Sequence, residues 1–210
     1  MGHWYLRPNS LLILCLALGT TDAVALTFYG TQITFTAASS TTLEATFESL
    51  TGGVNTASPV TQGRVVFASS LNALPFYVLK PGNPGDACCT FPHVTSAMLT
   101  GNGNEDFDMT FTGTAPTAVG FDVTTNNTGV AITVFDTNGA SLCGTTLTQH
   151  NVATYLGLTS TVTIGRIHWF SQNLAPPSAQ NSAVDNLRIG SNLAVPVQGR
   201  SWGLLKTNYR

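Results

Sequence analysis

The sequence predicts an all-β protein built as a single β-sandwich, and three observations predict it. No stretch keeps a helical period over three turns. Apolar and small polar residues alternate instead in short runs, each bounded by Gly, Pro, Asn, Asp or Ser. About ten such runs follow one another with polar turns between them, the pattern of a sandwich, with closure into a barrel as the alternative. No internal repeat of fixed period is visible, which argues against propellers and β-helices.

The first segment reads as an address rather than as part of the fold. In "MGHWYLRPNSLLILCLALGTTDAVALTF", Arg7 precedes an unbroken apolar run, Leu11 to Leu18, and Ala23-Val24-Ala25 offers small residues for cleavage. That order is a secretory signal peptide over residues 1–25, and its apolar run is too short to span a bilayer. The alternative is a buried N-terminal strand or helix. Cys15 is expected to leave with the signal, and the protein is expected to be secreted without a transmembrane anchor. The part that follows, about 185 residues, suits one domain with a sizeable core.

The body then reads strand by strand. "LTFYGTQITFTAA" and "TTLEATFESL" alternate, the second placing Leu43, Ala45 and Phe47 on one face. "TGGVNTASPVTQG" is a loop and "RVVFASS" a short strand. "LKPGNPGDACCTFPH" is an irregular surface loop, given its prolines and glycines. "GNGNEDFDMTFTG" puts Phe107, Met109 and Phe111 on one face. "AVGFDVTTNNTGVAITVFDTNGASLCG" reads as a hairpin around "TTNNTG", closed by a second turn, "DTNG". "YLGLTS", "TIGRIHWFS" and "NSAVDNLRIG" are further strands, the last two joined by a Pro-rich turn. The sandwich domain is thus residues 26–190, and residues 191–210 form a loosely ordered tail.

Composition limits the partners. Charged residues make up 9% of the chain and the net charge is −2, with no basic run, so nucleic acid is not expected. Disorder usually combines few apolar residues with high net charge, and neither holds. After signal cleavage three cysteines remain, Cys88, Cys89 and Cys143. In an oxidising compartment Cys143 is expected to pair with Cys88 or Cys89. His93 near the Cys pair makes only a weak zinc signal, because no CxxC spacing repeats.

The order "FES", "VGFDV", "ITVFDTNGASLCGTTL", "YLGLTSTVTIGRIHWFS" and "AVDNLRIG" resembles bacterial exported proteins of the PEP-CTERM type, over Thr42 to Gly190. The resemblance implies a jelly-roll-like β-sandwich ahead of a short sorting tag. At the tag's position this chain reads Ala194-Val195-Pro196-Val197-Gln198, without the tag's Glu-Pro or apolar span. The pattern is also similar to carbohydrate-binding jelly rolls, in which an early Phe-Glu and a late Asp hold a structural calcium ion. The matching positions are Glu48 and Asp185. The resemblance therefore implies calcium at Glu48 and Asp185, and polysaccharide or cell-surface matrix components as partners.

Asp185 stands out by itself, since Asp and Asn are poor strand formers and "AVDNLRI" is otherwise a strand. A divalent cation between distant carboxylates would explain it, because hard oxygen ligands suit calcium. A turn or bulge facing water is a second reading, and an ion pair with Arg188 or Arg166 a third. Glu105, Asp106 and Asp108 read as the solvated start of a strand, lacking the EF-hand spacing. Tyr77, Phe91, Tyr155 and Trp169 are the aromatic candidates for stacking on sugar. Trp169 alternates with Ile167 and is expected in the core, while Tyr77 and Phe91 flank the irregular loop, are expected to be exposed, and are the candidate ligand-binding residues. His150 and His168 read as isolated surface residues. No Gly-x-Ser-x-Gly or His-Glu-x-x-His motif occurs. "NNT" at Asn126 matches the N-glycosylation sequon, which matters only in a eukaryotic secretory route.

The expectation is a non-enzymatic protein of the cell surface or extracellular matrix, associated with exopolysaccharide. The rivals are a secreted hydrolase using Asp122 or Asp136, and a purely structural matrix protein. As a structural reading, Asp122 is an outward residue of its strand and Asp136 a turn initiator.

Overall fold

The computed structural model describes residues 14–17, 24–70, 75–83, 91, 93–101, 105–125, 129–148, 153–171 and 182–193. Its elements are β1 (Leu14–Ala17), β2 (Val24–Tyr29), α1 (Gln32–Ala38), β3 (Ser39–Ala45), β4 (Asn55–Thr56), β5 (Val60–Gln62), β6 (Val65–Ser69) and β7 (Phe76–Leu79). They continue with β8 (Met98–Gly101), β9 (Glu105–Phe111), β10 (Ala118–Thr125), β11 (Val130–Asp136), β12 (Ser141–Leu147), β13 (Ala153–Ser160), β14 (Ile164–Ser171) and β15 (Ser182–Asn192). The predicted all-β sandwich is what the chain forms. One sheet has nine strands in the order β1-β2-β13-β10-β15-β8-β7-β4, with β3 also paired to β15. The other has six, in the order β12-β11-β14-β9-β6-β5.

The core lies between the sheets and is rich in rings. Trp169 on β14 is buried and stacks on Phe107 of β9, with centroids 5.5 Å apart and 16° between planes. Phe121 of β10 packs against the same indole from the opposite sheet, at 5.8 Å. The Trp169 indole N–H donates to Ser182 Oγ of β15 at 2.9 Å, so the one polar atom of this large side chain is satisfied across the sandwich. As the alternation predicts, Phe107 and Met109 face this core, and Phe111 packs against its margin.

Three local expectations need correction. The stretch after Tyr29 is a short helix, α1, not a continued strand. Thr31 caps it by accepting the Thr34 N–H at 3.2 Å. Phe35 is then buried on Gly120 and Gly157, where a Cβ at either position would come within 2.6 Å of the ring. That burial outweighs the β-preference of Thr and Ile, and leaves Ile33 82% exposed. Leu43 does not share a face with Ala45 and Phe47. The register with β15 jumps from Leu187↔Ala45 to Arg188↔Leu43, and Leu43 is 43% exposed. The β10–β11 hairpin does not form. β10 pairs with β13 and β15 in the large sheet, while β11 pairs with β12 and β14 in the small one. Alternation is the same in either sheet, so it cannot say that the chain crosses the sandwich here. "DTNG" does close a hairpin, between β11 and β12. At the edge of the large sheet, β1 lies antiparallel on β2.

β15 holds the centre of the large sheet. β10 runs along one side of it, and its other side is shared. β8 pairs with Ala183 and Val184, and β3 pairs from Leu187 to Asn192. Asp185 and Asn186 fall in the gap. Against β10 the register passes from Arg188↔Gly120 to Asp185↔Asp122, so β15 has one residue more than its partner. This is a β-bulge, and Asn186 adopts the left-handed conformation, with φ 50°. Asparagine is among the few residues that visit this region at low cost.

Replacing Asn186 with Val should cost about 1–2 kcal/mol or more, since a β-branched residue resists positive φ. Asn186→Gly should cost less, and urea unfolding of the two variants measures the difference. Gly157→Ala should destabilise by about 1–3 kcal/mol, because Phe35 has no room to move away. Thermal melts compared with an Ile33→Ala control would show it.

Candidate functional site

The outer face of the large sheet is covered at two places and open between them. At one end Phe35 of α1 packs with Ala118, Tyr155 and Tyr29. At the other, a second cluster joins Leu79, Phe91, Met98 and Ala183, with Tyr77 and Val94 at its margin. Between these two caps lies a groove of about 340 Å³, lined chiefly by Ser96, Asp122, Thr124, Tyr155, Asp185 and Asn186. Asp122 stands directly across from Asp185 on one side of β10 and from Tyr155 on the other. The side-chain period of two puts all three on the outer face.

Neutral donors hold the two carboxylates. Asn186 Nδ2 donates to Asp122 Oδ2 at 2.8 Å. The Ser96 hydroxyl donates to Asp185 Oδ2 in a short hydrogen bond. Asp185 is fully buried, and its Oδ1 has no hydrogen-bond partner among the described residues. The Tyr155 hydroxyl is likewise buried and unpartnered. Such atoms are costly, since each loses its water without a replacement. Burial pushes the Asp185 carboxyl up from its ordinary 3.8 to about 6. The Ser96 hydroxyl and the Asn186 backbone oppose that shift, while the charges of Asp122 and Glu48 add to it. Burial also pushes the Tyr155 hydroxyl well above its usual range, with Arg188 opposing and Asp122 adding.

The three readings of Asp185 now resolve in part. It does sit at a bulge, but it faces the protein and not water. It makes no ion pair with Arg166, whose guanidinium instead grips both oxygens of Asp108 at 3.0 Å. Arg188 acts on Tyr155. Glu48 is exposed, on a turn after β3, and its Oε1 accepts the Ala97 N–H at 2.9 Å. Glu48 and Asp185 are thus tied to adjacent residues, Ala97 and Ser96. Among the described residues no group of three or more His, Cys, Asp or Glu is placed to hold a metal ion. What fits a cation is the unpartnered Asp185 Oδ1.

The aromatic expectations divide. Trp169 is in the core. Tyr155, the third aromatic candidate, lines the groove. Phe91 is only 2% exposed and offers no face to a sugar. A Pro-rich context makes it look exposed, yet the outer face of β7 and β8 needs an apolar cover, and Phe91 supplies it. Tyr77 is half-buried beside that cluster and does not line the groove. Ser96, Thr124 and Asn186 were not foreseen as groove residues. Only the polar pair Asp185-Asn186 inside a strand pointed towards them.

Elsewhere, Asp136 is the expected turn residue, accepting the N–H groups of Asn138 and Ala140 at 2.8 Å. Asp106 and Asp108 are not simply solvated. With Arg166 and His168 they form a cross-strand ladder on the outer face of the small sheet, where His168 Nδ1 lies 2.9 Å from Asp108 Oδ1 and Nε2 lies 3.7 Å from Asp106 Oδ1. His168 is therefore not isolated. Arg166 also lies over the Phe135 ring, 3.9 Å from its centroid. Glu105, the third acid of that run, is fully buried. No cysteine is free among the described residues. Cys88, Cys89, His150, the sequon at Asn126 and the tail beyond residue 193 lie outside them. No described helix is long and apolar enough to cross a membrane.

Neither a protein-family model nor a curated protein matches the chain. Among solved structures, a mutant of a family 29 carbohydrate-binding module complexed with cellulohexaose is similar with a TM-score of 0.40 and 13% identity, over 73% of this chain and 94% of that one. A second mutant of that module, complexed with mannohexaose, gives a TM-score of 0.37 and 14% identity, again over 73% and 94%.

The raised Asp185 carboxyl has a consequence for stability. Between about pH 4 and 6 the folded protein holds this proton more tightly than the unfolded chain. The stability it contributes is therefore fully present below pH 3.8 and is lost as pH rises through about 6. Asp185→Asn should flatten that decline, so that the variant gains on the wild type from pH 4 to pH 7 in melting temperature.

Proposed function

We propose that the protein is a secreted, non-enzymatic β-sandwich protein of the cell surface or extracellular matrix, and that it binds polysaccharide through the groove on its large sheet. One observation carries this reading. A buried carboxylate oxygen without a partner, Asp185 Oδ1, belongs to a residue that lines the groove beside Asp122, Tyr155 and Asn186. A sugar hydroxyl both donates and accepts, so a row of them can complete the Asp185 carboxylate and bond to Asp122 beside it. The groove's volume falls within the range of small-ligand sites, and convergent polar groups beside an aromatic ring are the usual makings of one.

The hydrolase rival needs two cooperating carboxylates. Asp122 and Asp136 stand on different sheets, and the Asp136 carboxylate is taken up by its own turn. Export through an oxidising compartment accompanies the proposal, with Cys143 bridged to Cys88 or Cys89 and association with exopolysaccharide outside the cell. The second reading is a structural calcium ion bridging Glu48 and Asp185. The free Asp185 oxygen favours it, and the ion would fasten the turn after β3 to β15.

Binding of the protein to a panel of bacterial and plant polysaccharides, with calcium and then with a chelator, tests both readings. Affinity that persists in chelator and falls at least about tenfold in Asp122→Ala would support the groove. Loss of binding in chelator would assign Asp185 to the metal. No binding in either condition would sink the polysaccharide reading.

A further inference from the structure

The groove carries more charge than neutral sugars need. Asp122 and Asp185 face each other across adjacent strands, an arrangement in which like charges repel. Their side-chain partners, Asn186 and Ser96, are neutral donors, so neither supplies a compensating charge. Glu48 adds a third negative charge from the turn after β3, close enough to disfavour ionisation of Asp185. The cationic or titratable groups facing the site are Arg188, which acts on Tyr155 from β15, and His93 at the groove wall. Tyr155 closes the floor from β13.

We propose that this groove recognises the ammonium group of an amino sugar, so that the polysaccharide it takes carries unacetylated hexosamine units. The inference rests on the polysaccharide reading above and narrows its ligand class. An ammonium has three donors and no acceptor. The groove offers two carboxylates as acceptors, Asp122 and Asp185 with its unpartnered Oδ1. A neutral sugar hydroxyl could satisfy the same hydrogen bonds, but it would bring no charge to the two carboxylates. A hard divalent cation asks for six or more oxygens, and among the described residues no third His, Cys, Asp or Glu joins the pair to hold one. Burial raises the Asp185 carboxyl to about 6, so near that pH a bound ammonium would favour its ionised form and expel the proton.

Calorimetric titration of the full-length protein at pH 6 tests this with four probes: a glucosamine hexamer, an N-acetylglucosamine hexamer, a neutral glucose hexamer and calcium chloride alone. The glucosamine oligomer should bind about tenfold more tightly than either of the other two. Its binding should release protons, read as a heat that changes with the buffer's ionisation enthalpy. Asp122→Asn and Asp185→Asn should each erase the preference, and Asp185→Asn should also erase the proton release. The second variant guards against a folding failure in the first. Equal affinity for all three oligomers would overturn the ammonium site and leave the polysaccharide reading standing. No affinity for any oligomer would overturn both. Calcium binding alone, with glycan affinity appearing only in its presence, would overturn the ammonium site in favour of the metal. A preference that survives both variants would do so by placing the selective contact elsewhere.

Discussion

β15 must serve two different strands along one of its edges, and most of what is distinctive in this protein depends on that. β8 takes its first residues and β3 its last, so the strand has to change partner at Asp185-Asn186. A regular strand cannot do this without leaving backbone groups or side chains out of register. The bulge absorbs the mismatch against β10, and Asn186 absorbs the backbone twist by taking positive φ. The same adjustment sets the Asn186 amide beside Asp122. The site is thus a by-product of a pairing problem that any sheet of this order would have to solve.

The groove also depends on what covers the rest of the face. A large sheet in a sandwich has an outer surface that is not protected by its partner sheet. Here α1 hides one end with Phe35, set into the hollow over Gly120 and Gly157. The segment carrying Phe91 hides the other with a small apolar cluster. Between the caps the face is lined by polar residues, among them Ser96, Asp122, Thr124 and Asp185. Their depth comes from the caps that rise on either side, and the desolvation of Asp185 and Tyr155 comes from the same source.

The parts of this arrangement legible in the sequence are those fixed by local alternation. Phe107, Met109, Ile167 and Trp169 could be placed in the core from their period alone, and Asp136 could be placed in its turn. The strangeness of Asp185-Asn186 was visible too, because both residues are poor in strands. What alternation cannot carry is the identity of a strand's neighbour. β10 and β11 look like a hairpin yet belong to opposite sheets, and His168 looks solitary until β9 brings Asp106 and Asp108 beside it. Phe91 shows the same limit in reverse, since its burial depends on a sheet face assembled from β7, β8 and β15. α1 was missed because Phe35 gains more from a glycine-lined hollow than its neighbours lose by leaving a strand.

The place of β15 in the chain bears on how the protein comes to be folded. It is the last strand described, yet it lies between β10 on one side and β3 and β8 on the other. Each of these contacts joins residues far apart in sequence, and such topologies fold slowly because long loops must close before they are rewarded. During synthesis, β3, β8 and β10 have no central partner until residues 182–192 arrive. The chain is then a set of open edges awaiting its final strand, and a copy that stopped short of it would have an unfinished middle rather than a missing end.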